Sequence, residues 1–146
     1  MSGRRFPSVG LLIGLLTALC SFAAQAGTAA GLLVEADKYW AENKLERAQK
    51  SFEAAVAAEP DSVATRLRLA GFQLAQQQTA ASIANYQKAI SREPNNSKAW
   101  IGLGLAYLHS SRPELARAAF DEAIRVDPSR KEKLAPLIAK LDARKS

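Results

Sequence analysis

The sequence predicts an all-α fold, an α-solenoid of three tandem helix-turn-helix units followed by a C-terminal capping helix. Three observations support this prediction. Ala and Leu are abundant while aromatic residues make up 7% of the 146 residues, a composition that favours helices packed through small side chains. Prolines recur every 34 residues, at Pro60, Pro94 and Pro128, and such a period indicates repeated helical units. Between 134 and 141, apolar residues stand at the i, i+3, i+4 and i+7 positions of an amphipathic helix.

The residues around the three prolines mark where each unit ends. Each proline follows an acidic residue and precedes Asp61, Asn95 or Ser129. Because Pro cannot continue the preceding helix and a short polar side chain can cap the next one, we place the repeats at about 29–62, 63–96 and 97–130. The expected helices span about 30–43, 46–58, 63–77, 80–92, 97–110 and 113–126, with a capping helix at about 131–143.

The capping helix has one complication, which is Pro136. If the helix begins near Lys133, Pro136 lies in its first turn, where no backbone donor is needed. If the helix begins at Arg130, Pro136 must kink it.

The third unit carries the clearest internal pattern, and the other two repeat it in part. Its characteristic positions are Trp100, Leu103, Gly104, Tyr107, Ala116, Phe120, Ala123 and Pro128. In the first unit Glu35 stands where an apolar residue is usual, and the matches are Leu32, Ala36, Tyr39, Ala48, Phe52, Ala55 and Pro60. The second unit departs at Arg66, Gln73 and Ser82, and it matches at Leu69, Ala70, Tyr86, Ala89 and Pro94. Over 29–130 the sequence closely resembles the tetratricopeptide repeat family.

This resemblance implies both a fold and a function. Each repeat would be a pair of antiparallel helices, in which small residues let the backbones approach and aromatic side chains fill the space between neighbours. The first helix of every repeat would line a concave groove that binds other proteins. The corresponding positions here are Leu33, Asp37, Trp40, Leu67, Gly71, Leu74, Lys98, Ile101, Leu105, Leu108 and His109.

The lining of the predicted groove is largely apolar, so it suits an extended apolar peptide or an amphipathic helix of a partner protein. For any single residue the alternative is packing against the adjacent repeat. Some family members hold a C-terminal carboxylate with Lys, Asn and Arg side chains. Here Leu33, Asp37 and Gly102 stand at several of those positions and only Lys98 remains, so we do not expect a carboxylate clamp.

The sequence offers no convergent set of catalytic or metal-binding groups. His109 is the only histidine, and no Asp or Glu lies three or four residues from it. There is also no glycine-rich phosphate loop, no Gly-x-Ser-x-Gly motif and no calcium-loop spacing. We therefore expect a protein that is not an enzyme and that uses no catalytic residue, cofactor or metal.

The N-terminal segment 1–26 has the features of a secretory signal peptide. Arg4 and Arg5 precede an apolar run, and Ala24-Gln25-Ala26 forms a small-x-small cleavage site. Cleavage before Gly27 would leave a mature domain of 27–146 that is exported, most naturally to a bacterial periplasm. The alternative is an uncleaved segment that anchors the chain in the inner membrane, and membrane association is expected only in that case.

The formal charge of +6 does not predict nucleic-acid binding, because most basic residues alternate with acidic ones along the chain. Only 130–145 forms a basic cluster, and it still includes Glu132 and Asp142. We predict a periplasmic adaptor or scaffold whose groove binds a peptide or helix of an envelope-complex protein. The alternative is a structural homo-oligomer that assembles through the groove and the terminal helix of another copy.

Overall fold

The computed structural model describes residues 27–143, and within this range the secondary structure is helical. The predicted signal segment 1–26 lies outside the described residues, as do 144–146. The helices are α1 (Ala29–Ala41), α2 (Leu45–Ala58), α3 (Val63–Ala75), α4 (Thr79–Arg92), α5 (Ser97–His109), α6 (Pro113–Val126) and α7 (Lys131–Asp142), with a 3-10 turn at Pro128–Arg130 before α7. Three helical hairpins and a terminal helix thus stack into a solenoid, which confirms the predicted fold class.

Each hairpin turns through the same backbone conformation. Asn43, Gln77 and Ser111, again 34 residues apart, have positive φ angles of 57°, 60° and 57°. The following amide reaches back over the end of the first helix, for example from Lys44 N to Tyr39 O at 2.8 Å. This left-handed residue closes the helix end and reverses the chain within a few residues.

The helix after a proline is capped two positions beyond it. The Ser62 hydroxyl accepts a hydrogen bond from Thr65 N at 3.4 Å, and the Asn96 side chain accepts one from Ala99 N at 3.3 Å. The cap is therefore one residue later than Asp61 or Asn95, because those residues still belong to the turn.

Close contacts between small residues and aromatic rings hold the hairpins together. Phe52, Phe72 and Phe120 are fully buried. A Cβ atom added at Gly104 would lie 2.4 Å from a ring carbon of Phe120, so α5 and α6 can approach only because this position has no side chain. Ala116, on α6, is likewise fully buried.

The departures in the second repeat are compensated by hydrogen bonds. Ser82 Oγ donates to the carbonyl oxygen of Ala70 at 2.8 Å. Gln73 is buried, and its Oε1 accepts a hydrogen bond from Asn85 Nδ2 at 2.8 Å, while Arg66 donates to Asn85 Oδ1 at 3.3 Å. Polar groups thus replace part of the usual apolar packing without being left unpaired.

The departure in the first repeat has a different explanation. Glu35 is exposed, and its Oε1 accepts a hydrogen bond from the Tyr39 hydroxyl at 2.9 Å. Within the described range no helix packs in front of α1, so this position has no apolar neighbour to meet and a charged side chain is tolerated there.

The terminal helix α7 covers the end of the solenoid through Leu134 and Leu141, which are buried. Arg117 on α6 pairs with Asp142 and, at 3.0 Å, with Asp121. The helix begins at Lys131, directly after the 3-10 turn, so Pro136 lies beyond its first turn and not within it.

Replacing Gly104 by Ala should destabilise the protein by about 1–3 kcal/mol, because the new methyl group must displace the buried Phe120 ring. The same change at Gly71 is the control, since its Cβ would lie at an ordinary 3.7 Å from the Tyr86 hydroxyl. Gly71→Ala should stabilise the helix by up to about 1 kcal/mol. Urea unfolding followed by circular dichroism measures both, and equal effects would show that the close approach at Gly104 is unimportant.

Candidate binding groove

The predicted groove residues lie on the first helices of the three hairpins, α1, α3 and α5, and the structure divides them into two groups. Those on α1 and α3 border an accessible surface. Those on α5 contribute chiefly to the core. We call the accessible part, between α1 and the start of α5, the N-terminal groove; its described members are Leu33, Val34, Asp37, Trp40, Leu67, Arg68, Gly71, Leu74, Lys98 and Gly102.

Apolar side chains are most exposed at the α1 end of the N-terminal groove. Val34 is 71% exposed and Trp40 is 38% exposed. The indole ring of Trp40 rests edge-on against Phe72, with ring centroids 5.4 Å apart, so one side of it is fixed by the core and the other faces solvent. Leu33 is half-buried against the cluster that includes Phe52 and Phe72.

Sequence reasoning missed Val34 and Arg68. Val34 lies three residues before Asp37 and therefore on the same side of α1, which was the available signal. Arg68 pairs with Asp37 across the seam between α1 and α3. Asp37, which was predicted as a free groove residue, is thus part of an exposed ion pair that joins two repeats.

The floor of the N-terminal groove lacks side chains at two points. Gly71 on α3 lies one turn from Leu67 and Leu74, and Gly102 on α5 lies one turn from Lys98. The ring of Tyr86, which projects from α4, occupies the space between the two glycines. A Cβ added at Gly102 would lie 2.2 Å from this ring, so only glycine fits there.

Tyr86 itself is 7% exposed. Burial raises the pKa of the Tyr86 hydroxyl above its usual value, because the ionised form loses hydration. The hydroxyl therefore remains protonated, and able to donate a hydrogen bond, throughout the neutral range.

The α5 residues are less available than predicted. Ile101, Leu105 and Leu108 are half-buried and pack against the core cluster that contains Leu134 and Leu141 of α7. For these three residues the alternative of packing against the adjacent element describes the structure better. His109 is exposed, and its Nδ1 lies 3.0 Å from the carbonyl oxygen of Leu105 on its own helix.

A second apolar surface lies between α4 and α6, the second helices of their hairpins. This outer cleft has a volume of about 380 Å³ and is floored by α5 through Trp100, Leu103 and Tyr107. Leu115, 45% exposed, stands at its edge. Sequence analysis did not identify it, because the cleft forms between two repeats.

Neither a metal site nor a membrane span is evident in the described part of the chain. Among residues 27–143, no three His, Cys, Asp or Glu side chains come together in a way that could hold a metal ion. No helix in this range is long and apolar enough to cross a membrane.

Solved structures similar to this chain share its helical solenoid. The first repeat domain of Spaghetti (RPAP3), bound to the HSP90 peptide SRMEEVD, has a TM-score of 0.73 at 17% identity and covers 80% of this chain and 92% of its own. The TPR2B domain of yeast Sti1 in its pHsp70 complex has a TM-score of 0.72 at 20% identity, covering 80% and 97%. At these identities the likeness shows the fold alone.

A bacterial structure is similar to the same extent. The Yersinia enterocolitica type III secretion chaperone SycD, in complex with a peptide of the translocator YopD, has a TM-score of 0.72 at 17% identity. It covers 80% of this chain and 94% of its own.

Sequence comparison points to the same repeat. Superkiller protein 3 of Saccharomyces cerevisiae is 39% identical over 56 residues, which are 38% of this chain, and the chain spans only 4% of that protein's length. Two family profiles described as tetratricopeptide repeat match residues 39–84 and 73–131. Together these matches cover well over half of the sequence, from 39 to 131, and the chain belongs to the tetratricopeptide repeat family.

Proposed function

We propose that this chain is a protein-interaction module that binds a peptide of a partner protein in the N-terminal groove and catalyses no reaction. The observation that carries the proposal is the exposure of Val34 and Trp40 next to each other's turn of α1. Large apolar side chains exposed at a concave, otherwise structured surface are typical of a binding site. Their burial by a partner would supply the main favourable term.

Similar folds support a peptide as the ligand. The Spaghetti, Sti1 and SycD structures contain, respectively, an HSP90 peptide, pHsp70 and a peptide of YopD. The chemistry of this groove differs from a carboxylate clamp, since Asp37 is paired with Arg68 and Gly102 carries no side chain. Lys98 is the exposed basic residue that remains at one of those positions.

The cellular setting that we propose is a bacterial periplasm, where the chain serves as an adaptor or scaffold for an envelope complex such as a pilus, a secretion machine or a cytochrome-maturation system. The support is the signal-like pattern of residues 1–26. An uncleaved segment would instead place the same domain at the inner membrane.

Self-assembly through the groove and the terminal helix is the second candidate. It has less support, because Leu134 and Leu141 of α7 are already buried within the same chain. A copy that donated α7 to its neighbour would first have to give up this packing.

A photo-crosslinking amino acid at Val34 should capture a partner in the native host, because this side chain is exposed in the groove. The control position is Glu53, which is exposed on α2 and away from both the groove and the outer cleft. Leu105 is a poor probe since it is half-buried, and Glu122 is unsuitable as a control since it lines the outer cleft. A position at Ala118 reports on the outer cleft separately.

The captured protein is identified by mass spectrometry, purified and tested for binding to Val34→Asp. We expect binding to fall at least tenfold, because a buried unpaired carboxylate is strongly unfavourable. Capture of the same protein from Glu53, or capture only from Ala118, would contradict the groove assignment. Capture of a second copy of this chain would support self-assembly.

Export makes a separate prediction. The protein purified from its native host should begin at Gly27 and fractionate with periplasmic contents, because signal peptidase cuts after the small-x-small site Ala24-Gln25-Ala26. Intact-mass measurement decides this. An N-terminus at Met1 in the membrane fraction would support the anchored alternative, and Met1 in the cytosol would exclude export.

A further inference from the structure

The Tyr86 hydroxyl lies at the centre of the N-terminal groove. A Cβ added at Gly71 would be 3.7 Å from this oxygen, and one added at Gly102 would be 2.7 Å from it. Both glycines are on the groove side of their helices, in register with Leu67 and Leu74 on α3 and with Lys98 on α5. The hydroxyl therefore sits at the α3–α5 seam, directly under the groove.

This hydroxyl has no hydrogen-bond partner among residues 27–143, although the Tyr86 side chain is more than nine-tenths buried. It is not sealed in the core, since every fully buried side-chain nitrogen or oxygen in the described part of the chain has a partner. The oxygen consequently opens to solvent through the gap that the glycines leave. Its donor hydrogen points to water or to whatever occupies the groove.

The shape of the floor distinguishes between the two kinds of ligand that an apolar groove can hold. Two neighbouring positions without side chains let a ligand backbone come close, in the way that glycine usually serves. A bound helix presents side chains outward and has its carbonyl groups paired internally, so it cannot use a hydroxyl at the floor. An extended peptide has free carbonyl groups and needs such donors.

We propose that the Tyr86 hydroxyl donates a hydrogen bond to a main-chain carbonyl of a partner peptide, which is bound in an extended conformation over Gly71 and Gly102. The proposal rests on the proposed function and names the form of its ligand. Apolar side chains of the peptide pack on Trp40 and Val34. Lys98 has no acidic partner among the described residues, so the complementary charge on the peptide is negative.

The probe for the test is a peptide selected against the purified protein from a phage-displayed library of random dodecapeptides. Its affinity is measured by fluorescence anisotropy for the wild type, Tyr86→Phe, Gly71→Ala and Tyr107→Phe. Tyr107→Phe is the matched control, because that hydroxyl accepts a hydrogen bond from Gln87 at the outer cleft. We expect Tyr86→Phe to bind about 3- to 10-fold more weakly, the usual effect of one lost hydrogen bond, and Tyr107→Phe to bind like the wild type.

Gly71→Ala should also weaken binding, because its methyl group would stand between the peptide and the hydroxyl while leaving the fold intact. An amide-to-ester scan of the peptide then locates the carbonyl, since an ester carbonyl is a poorer acceptor. One ester should weaken binding to the wild type and have no further effect on Tyr86→Phe, which is the signature of a direct contact.

The outcomes separate this proposal from the proposed function. A selected peptide that binds Tyr86→Phe as well as the wild type, or that loses affinity when a central proline interrupts its helix, would overturn the proposal and leave the groove as a binding site. A library that yields no peptide for the wild type would contradict both. Loss of binding in Tyr107→Phe but not in Tyr86→Phe would move the site to the outer cleft.

Discussion

The structure depends on aromatic rings that fill the spaces between repeats and on the small residues that receive them. The Phe120 ring fits against Gly104, and the Tyr86 ring fits against Gly102. Burial of one such ring contributes about 2–3 kcal/mol, and removing it would leave a cavity in a chain of modest size. Because successive repeats touch mainly their neighbours, these contacts carry much of the cohesion of the solenoid.

The same contacts shape the candidate binding surface. The ring of Tyr86 fills the seam between α3 and α5 and at the same time brings its hydroxyl to the groove floor. At the other end α7 uses Leu134 and Leu141 to cover the last hairpin, so the α5 residues Ile101 and Leu105 are drawn into the core. Packing that stabilises the fold thus also decides which part of the concave face stays free.

Most of the architecture could be predicted because it follows local rules that recur every 34 residues. Proline ends a helix, a polar residue caps the next, and apolar periodicity marks the buried face. The observed helices differ from the expected ones by at most about two residues at either end, as in α3, which ends at Ala75 and not at 77. Contacts between repeats were harder to predict. The pairing of Arg68 with Asp37 and the compensating bonds of Ser82 and Gln73 depend on which residues of different helices meet.

The candidate site was predictable only in part, for the same reason. Helical position alone placed Trp40 and Leu67 on the concave side, yet it could not show that α7 claims Leu108 or that Tyr86 reaches the floor from the second helix of its hairpin. The periplasmic setting rests on residues outside the described range and stays a prediction.

The central claim, that ligands bind on the side of α1, α3 and α5, is tested most directly by NMR titration of the isotopically labelled protein with a library-selected peptide. The account predicts that the amide signals of Val34, Gly71 and Gly102 shift in a saturable manner, while those of Leu115 and Ala118 at the outer cleft do not. Saturable shifts confined to Leu115 and Ala118 would contradict it.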